Sequence, residues 1–313
     1  MDFKLTLVIQ LLVATLTNQF TSFPPDVKNH KNLQFLNHDL CGPINEFKAF
    51  GGTEVEIYDF PWMALLQYEV KDGNKTYLRF LCGGSIINNR YILTAAHCVK
   101  FHYKNALLKS VRLGEHNLNT NPDCDMNYYN KELICVEKYQ EYEIEKIIPH
   151  PKYNSVLLGN DIALLKLNRD IDFTINIKPI CLPIGRASNL LQKMVTASGW
   201  GLTEKMSFSA NLLMVHLPII SNDECNVIYN KYLTKKIQIN KKQMCAGGIK
   251  GRDACSRDSG GPLQSPAVYN KNVRFVQYGI VSYGYPQCGT EGIPGVYTKV
   301  SYFTNWILDN IDK

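Results

Sequence analysis

Arg257-Asp258-Ser259-Gly260-Gly261-Pro262 is the stretch on which the fold turns, because it sets a serine between an aspartate and a glycine pair. A serine hydroxyl is a weak nucleophile at neutral pH and needs a base within hydrogen-bond reach, a role that suits histidine. Far upstream, Thr94-Ala95-Ala96-His97-Cys98 supplies one. Between them, Asn160-Asp161-Ile162-Ala163-Leu164-Leu165 supplies a carboxylate able to fix the tautomer of His97 and stabilise the imidazolium as it forms. Of seven histidines only His97 has such a setting; His30 and His38 fall in a polar N-terminal region, and His102, His116, His150 and His216 read as surface or satisfied core residues. Nucleophile, base and carboxylate recur in different chain orders on unrelated scaffolds, so the order His97, Asp161, Ser259 discriminates between folds.

Outward from these segments, residues 60–66, 91–93, 162–167, 275–281 and 295–300 are short β-rich runs separated by Gly, Pro and Asn turns. Many short strands without long helical periods predict an all-β barrel or sandwich. Val300, Phe303, Trp306, Ile307 and Ile311 repeat at three and four, which predicts one amphipathic closing helix. The about 265 residues after position 48 approach the limit for a single core, so two packed lobes are expected.

The N-terminal residues have a different composition. Residues 1–22 open with a short charged start and an apolar run over Leu5 to Leu16, too short for a ~30 Å hydrocarbon layer and suited to a signal peptide. Residues 23–48 are polar, contain Pro24-Pro25 and lack both strand alternation and helical period; they cannot bury a core and read as a propeptide. Residues 49–313 form the remaining domain. Ten cysteines, none two residues from another, argue for disulfides in an oxidising, extracellular compartment over a zinc ribbon. The net charge of +6 is modest, and the densest basic stretch, Lys235-Lys236 with Lys241-Lys242, carries no stacking aromatics. Nucleic-acid binding is therefore not expected, and no apolar stretch is long enough for a membrane partner. Asn74-Lys75-Thr76 is an N-glycosylation acceptor pattern.

On His97, Asp161 and Ser259 in that order, the chain resembles the chymotrypsin and trypsin family of serine proteases from about Ala49 onward. The resemblance implies two six-stranded antiparallel β-barrels with a C-terminal helix and a cleft between them. It implies cleavage after Lys48, releasing the amino group of Ala49 to pair with Asp258; Ala49 stands where the family usually has Ile or Val. Losing two or three buried methylene-sized groups predicts a switch weaker by roughly 2 kcal/mol. Asp253, six residues before Ser259, takes the family's position at the base of the primary pocket, with Ser282, Gly284 and Gly295 along its walls. That implies cleavage after Arg or Lys through a charge-assisted contact.

Arg257 departs from the family, which usually carries Gly where the backbone N–H joins that of Ser259 in the oxyanion hole. Two outcomes follow. Either the N–H tips away, at about 10² to 10³ in rate, or the backbone holds its angles under strain and the side chain projects toward the leaving group. The resemblance also implies the pairs Cys82–Cys98, Cys225–Cys245, Cys255–Cys288 and Cys41–Cys181. Cys124 and Cys135, the extra pair, resemble the clip-domain proteases of insects, although the six-Cys clip module has no counterpart here. Glu115, Asn117, Thr120 and Asp123 offer hard oxygen ligands for a structural Ca²⁺; an acidic surface loop without metal accounts for them equally. No cofactor is expected for catalysis. The leading expectation is a secreted, monomeric, trypsin-like serine endopeptidase made as a zymogen, with protein substrates, an activating protease and a protein inhibitor as partners, acting in an immune or effector cascade. The alternative is a catalytically weak homologue that modulates such a cascade by binding.

Overall fold

The computed structural model describes residues 27–44, 55–100, 105–126, 131–155, 157, 159–203, 206–232 and 237–312. The segment 1–22, the junction Lys48-Ala49, His102, and Lys235 with Lys236 lie outside the described residues. The chain forms β1 (Met63–Asp72), β2 (Lys75–Ile86), β3 (Tyr91–Thr94), β4 (Ala106–Leu113), β5 (Cys124–Met126), β6 (Leu133–Cys135) and β7 (Gln140–Pro149). There follow β8 (Ala163–Leu167), β9 (Met194–Gly199), β10 (Leu213–Ile220), β11 (Gln243–Gly247), β12 (Pro262–Tyr269), β13 (Asn272–Tyr283) and β14 (Pro294–Lys299).

Two closed six-stranded barrels result, in the orders β1-β2-β3-β8-β7-β4 and β10-β11-β14-β13-β12-β9, with every pair antiparallel. Closure leaves no free sheet edge in either barrel. β5 and β6 form a separate two-stranded ribbon joined by Cys124–Cys135. Inward side chains such as Leu66, Tyr68, Ile92 and Leu164 are wholly buried, which is what the short apolar runs require. The barrels are fixed to one another by buried polar pairs. Trp62 Nε1 donates to Gln264 Oε1 at 2.7 Å and Ser85 Oγ to Gln277 Oε1 at 2.6 Å, each bond crossing from the first barrel to the second. A buried polar pair with both members satisfied favours one mutual orientation over others.

Two features differ from the expectations. Residues 27–44 do bury apolar surface: Val27 and Leu36 join the main core, flanking a 3-10 helix over Lys31–Phe35. The segment makes no core of its own but shares that of the barrels, held by Asn32 Nδ2 to the carbonyls of Leu308 and Ile311 and by Asn88 Nδ2 to that of Phe35. The C-terminal periodicity is divided into a 3-10 turn, Val300–Tyr302, and a helix, Thr304–Asp309. Phe303, at φ −105° and ψ 7°, separates them, while Phe303, Ile307 and Ile311 still bury one face.

Candidate active site

His97 lies in the four-residue helix Ala96–Val99 directly after β3, and Asp161 lies just before β8, β3's neighbour in the sheet. Asp161 is fully buried, and its oxygens accept from His97 Nδ1 at 2.8 Å, His97 N at 2.9 Å and Ser282 Oγ at 2.5 Å. Its carbonyl accepts from Thr298 Oγ1 at 2.7 Å. A carboxylate held by this many donors is fixed in place and aims the imidazole. Asn160 precedes it at φ +59°, a turn residue whose amide donates to Lys152 O at 3.1 Å.

Ser259 approaches from the β11–β12 connection of the second barrel. Its carbonyl accepts from Gly83 N at 2.8 Å and sits 3.5 Å from Cys98 Sγ, beside His97. Gly260, at φ +81°, allows this close turn, since a Cβ there would run into Thr94 Oγ1 and Gly83 O. His97 Nε2 lies 3.6 Å from Cys98 Sγ, and no hydrogen bond joins it to Ser259 among the described residues. Such bonds are often long before substrate arrives. Arg257 stands at φ +77°, the left-handed backbone that favours glycine. Among the described residues, its N–H and that of Ser259 donate to no protein acceptor.

Asp253 lies on the same β11–β12 connection, six residues before Ser259. One oxygen accepts from Gly289 N at 3.3 Å, and the other is buried without a partner, as is the nearby hydroxyl of Tyr297. Burial pushes the Asp253 carboxyl up to about 6. Gly295 keeps the space open, because a Cβ would stand 3.2 Å from both Asp253 Oδ1 and the Tyr297 hydroxyl. Gly284 borders open space nearby. Ser282, expected as a pocket wall, directs its hydroxyl to Asp161. Asp258 accepts from Gly201 N and Cys255 N, each at 2.9 Å, and burial pushes it up to about 6 as well. Among the described residues no cation pairs with it.

Disulfides join Cys41 to Cys181, Cys82 to Cys98, Cys124 to Cys135, Cys225 to Cys245 and Cys255 to Cys288. Two of them, at Cys98 and Cys255, flank His97 and the Asp253 pocket.

The candidate calcium ligands come together as a self-satisfied turn. Asp123 accepts from His116 N, Asn117 N and Thr120 Oγ1, and Asn117 Oδ1 accepts from Asn119 N. Glu115 is paired with Arg112 at 3.0 Å, and burial raises its carboxyl to about 7. Protein donors already occupy these oxygens and a guanidinium supplies the positive charge, so the set does not fit a bound Ca²⁺ in this arrangement.

Two neighbours of Arg257 carry no signal in the sequence: its guanidinium lies 3.2 Å over the Phe208 ring, and Arg79 adds to the effect of burial in lowering its pKa. No helix among the described residues is long and apolar enough to cross a membrane.

A family model described as Trypsin matches residues 49–307. Melanization protease 1 of Drosophila melanogaster is 43% identical over 87% of this chain and 67% of its own length. The Spaetzle-processing enzyme of the same organism is 41% identical over 88% of this chain and 69% of its own length. The crystal structure of the Drosophila Grass clip serine protease of the Toll pathway superposes with a TM-score of 0.76 at 38% identity, covering 90% of this chain and 77% of that one.

Proposed function

The chain belongs to the Trypsin family, and from that premise we propose that it is a serine endopeptidase cleaving peptide bonds after Arg or Lys. The observation that carries the specificity is the unpartnered buried oxygen of Asp253, because a buried carboxylate without a counter-charge is costly and a substrate guanidinium or ammonium relieves that cost. In this reading Ser259 Oγ attacks the scissile carbonyl while His97 Nε2 takes its proton. Asp161 holds His97 in the required tautomer and stabilises the imidazolium. The N–H groups of Arg257 and Ser259 receive the oxyanion. Collapse of the tetrahedral intermediate breaks the C–N bond, and His97 returns the proton to the departing amine. Water, deprotonated by His97, then attacks the acyl carbon, and the bond to Ser259 Oγ breaks as His97 returns the proton to that oxygen, releasing the acid.

Asp258 supports a zymogen reading. Cutting after Lys48 would supply the Ala49 ammonium as the cation that its buried carboxylate lacks, and the Cys41–Cys181 bond would keep the released segment attached. Secretion through residues 1–22, protein substrates, an activating protease, an inhibitor and a place in a cascade like those of its relatives complete the proposal. A glycan at Asn74 fits as well, since that residue is exposed in the β1–β2 turn. The open Ser259–His97 contact favours a second reading, a weakly catalytic homologue that binds cascade components. Cutting the protein after Lys48 and measuring fluorophosphonate labelling with turnover of Arg, Lys and Phe peptides separates the two. Labelling with turnover of Arg and Lys peptides is expected; labelling without turnover selects the homologue, and preference for Phe removes the role given to Asp253.

A further inference from the structure

We propose that a pocket beside Arg257 is a subsite for an acidic side chain just beyond the scissile bond, recognised by Arg79 and Arg257. The inference rests on the endopeptidase reading and adds to it a specificity on the leaving-group side.

The pocket encloses about 140 Å³ over an apolar floor that includes Phe80, Leu118 and Trp200, with Cys82, Arg79 and Arg257 also lining it. Its position follows from the chemistry. The departing amine must receive its proton from His97 Nε2, so the chain beyond the scissile bond leaves on that side. Cys98 Sγ is 3.6 Å from His97 Nε2, and the partner sulfur in its disulfide belongs to Cys82, a wall of the pocket. The Asp253 pocket, by contrast, is built from the 289–297 segment.

The charge is one-sided. Neither Arg79 nor Arg257 has a carboxylate partner among the described residues, and both burial and, to a lesser degree, the nearby Arg79 disfavour the charge on Arg257. Stacking on Phe208 holds the Arg257 guanidinium in place, and Arg79 lies 5.5 Å from the Tyr77 ring centroid. Two neighbouring cations without a counter-ion create a potential that an incoming carboxylate relieves and an incoming Lys or Arg aggravates. The apolar floor accepts the methylene stem of a glutamate.

The test uses quenched peptides with Arg before the scissile bond and Glu, Gln or Lys at either of the two positions after it, with the full-length protein cut after Lys48. The kcat/KM ratio of Glu to Lys peptides is expected to be on the order of tenfold or more, and Arg79→Glu to bring it to one or below. A ratio within about twofold of one in the unsubstituted protein, or one that Arg79→Glu leaves unchanged, overturns the subsite. Affinities of the same peptides for the Ser259→Ala protein read the pocket without hydrolysis. Equal Kd values for Glu and Lys peptides overturn the subsite. A retained preference in Kd supports it even if turnover fails, and that failure then falls on the endopeptidase reading alone.

Discussion

The two barrels treat their buried carboxylates in opposite ways. Asp161, at the edge of the first barrel, is fully enclosed and accepts from a ring N–H, a backbone N–H and a hydroxyl. Asp253 and Asp258, on the β11–β12 connection of the second, accept only backbone N–H groups, and burial holds both near 6. The first barrel, with one hydroxyl lent by Ser282 on β13 of the second, delivers a finished piece of machinery. The second delivers two sites each lacking one positive charge, which a substrate side chain and a chain terminus could supply. On the proposed zymogen reading this division has a use, because the unfinished half can be completed from outside.

The largest effect expected from breaking the finished half is that of Asp161→Asn. The amide keeps the shape but can donate to His97 Nδ1, which favours the wrong imidazole tautomer, so kcat should fall about 10⁴-fold with KM little changed. Steady-state kinetics on an Arg peptide checks this. A loss below tenfold would mean that Asp161 does not orient His97.

How far the sequence shows this contrast depends on how local each part is. The strands are legible because runs such as 275–281 carry strand residues between turn residues, which leaves barrel and sandwich open, and only the family resemblance implies closure into two barrels. His97, Asp161 and Ser259 are legible as motifs because each sits in a short distinctive segment. What surrounds them is not. Ser282 reaches Asp161 across 121 positions, and Phe208 and Arg79 meet Arg257 only once both barrels are closed. The polar segment 27–44 gives no periodic signal, because the apolar surface it shares is supplied by residues far along the chain.

The unfinished half can be sharpened with benzamidine, whose amidinium stands in for a substrate cation. A carboxyl raised from 3.8 to about 6 binds more protons folded than unfolded, so the free protein loses stability as pH rises through that window. The amidinium pairs with the ionised form and reverses that cost. Its affinity should therefore be full above about pH 7 and roughly tenfold weaker at pH 5, one unit below the raised pKa. Asp253→Asn should abolish both the affinity and its pH dependence. Titration followed by calorimetry reads both, and a flat profile in the unsubstituted protein would place the binding charge elsewhere.

The smallest effect separates backbone from side chain at Arg257. At φ +77° a residue with a Cβ is strained by about 1 to 3 kcal/mol, whereas glycine is not. Glycine also gains freedom in the unfolded chain, which offsets part of that relief. Arg257→Gly should therefore raise the thermal midpoint by a few degrees, about 2–4 °C per kcal/mol for a protein of this class. Because the N–H of Arg257 is free beside Ser259, hydrolysis of a simple Arg ester should stay within about twofold, whereas recovery of a lost donor would raise it 10² to 10³-fold. An ester carries no residue beyond the scissile bond, so its rate is blind to the guanidinium and reports the backbone alone. A large gain in ester turnover would show that the strained backbone does not hold its N–H toward the oxyanion, and the second barrel would then be incomplete in a third place.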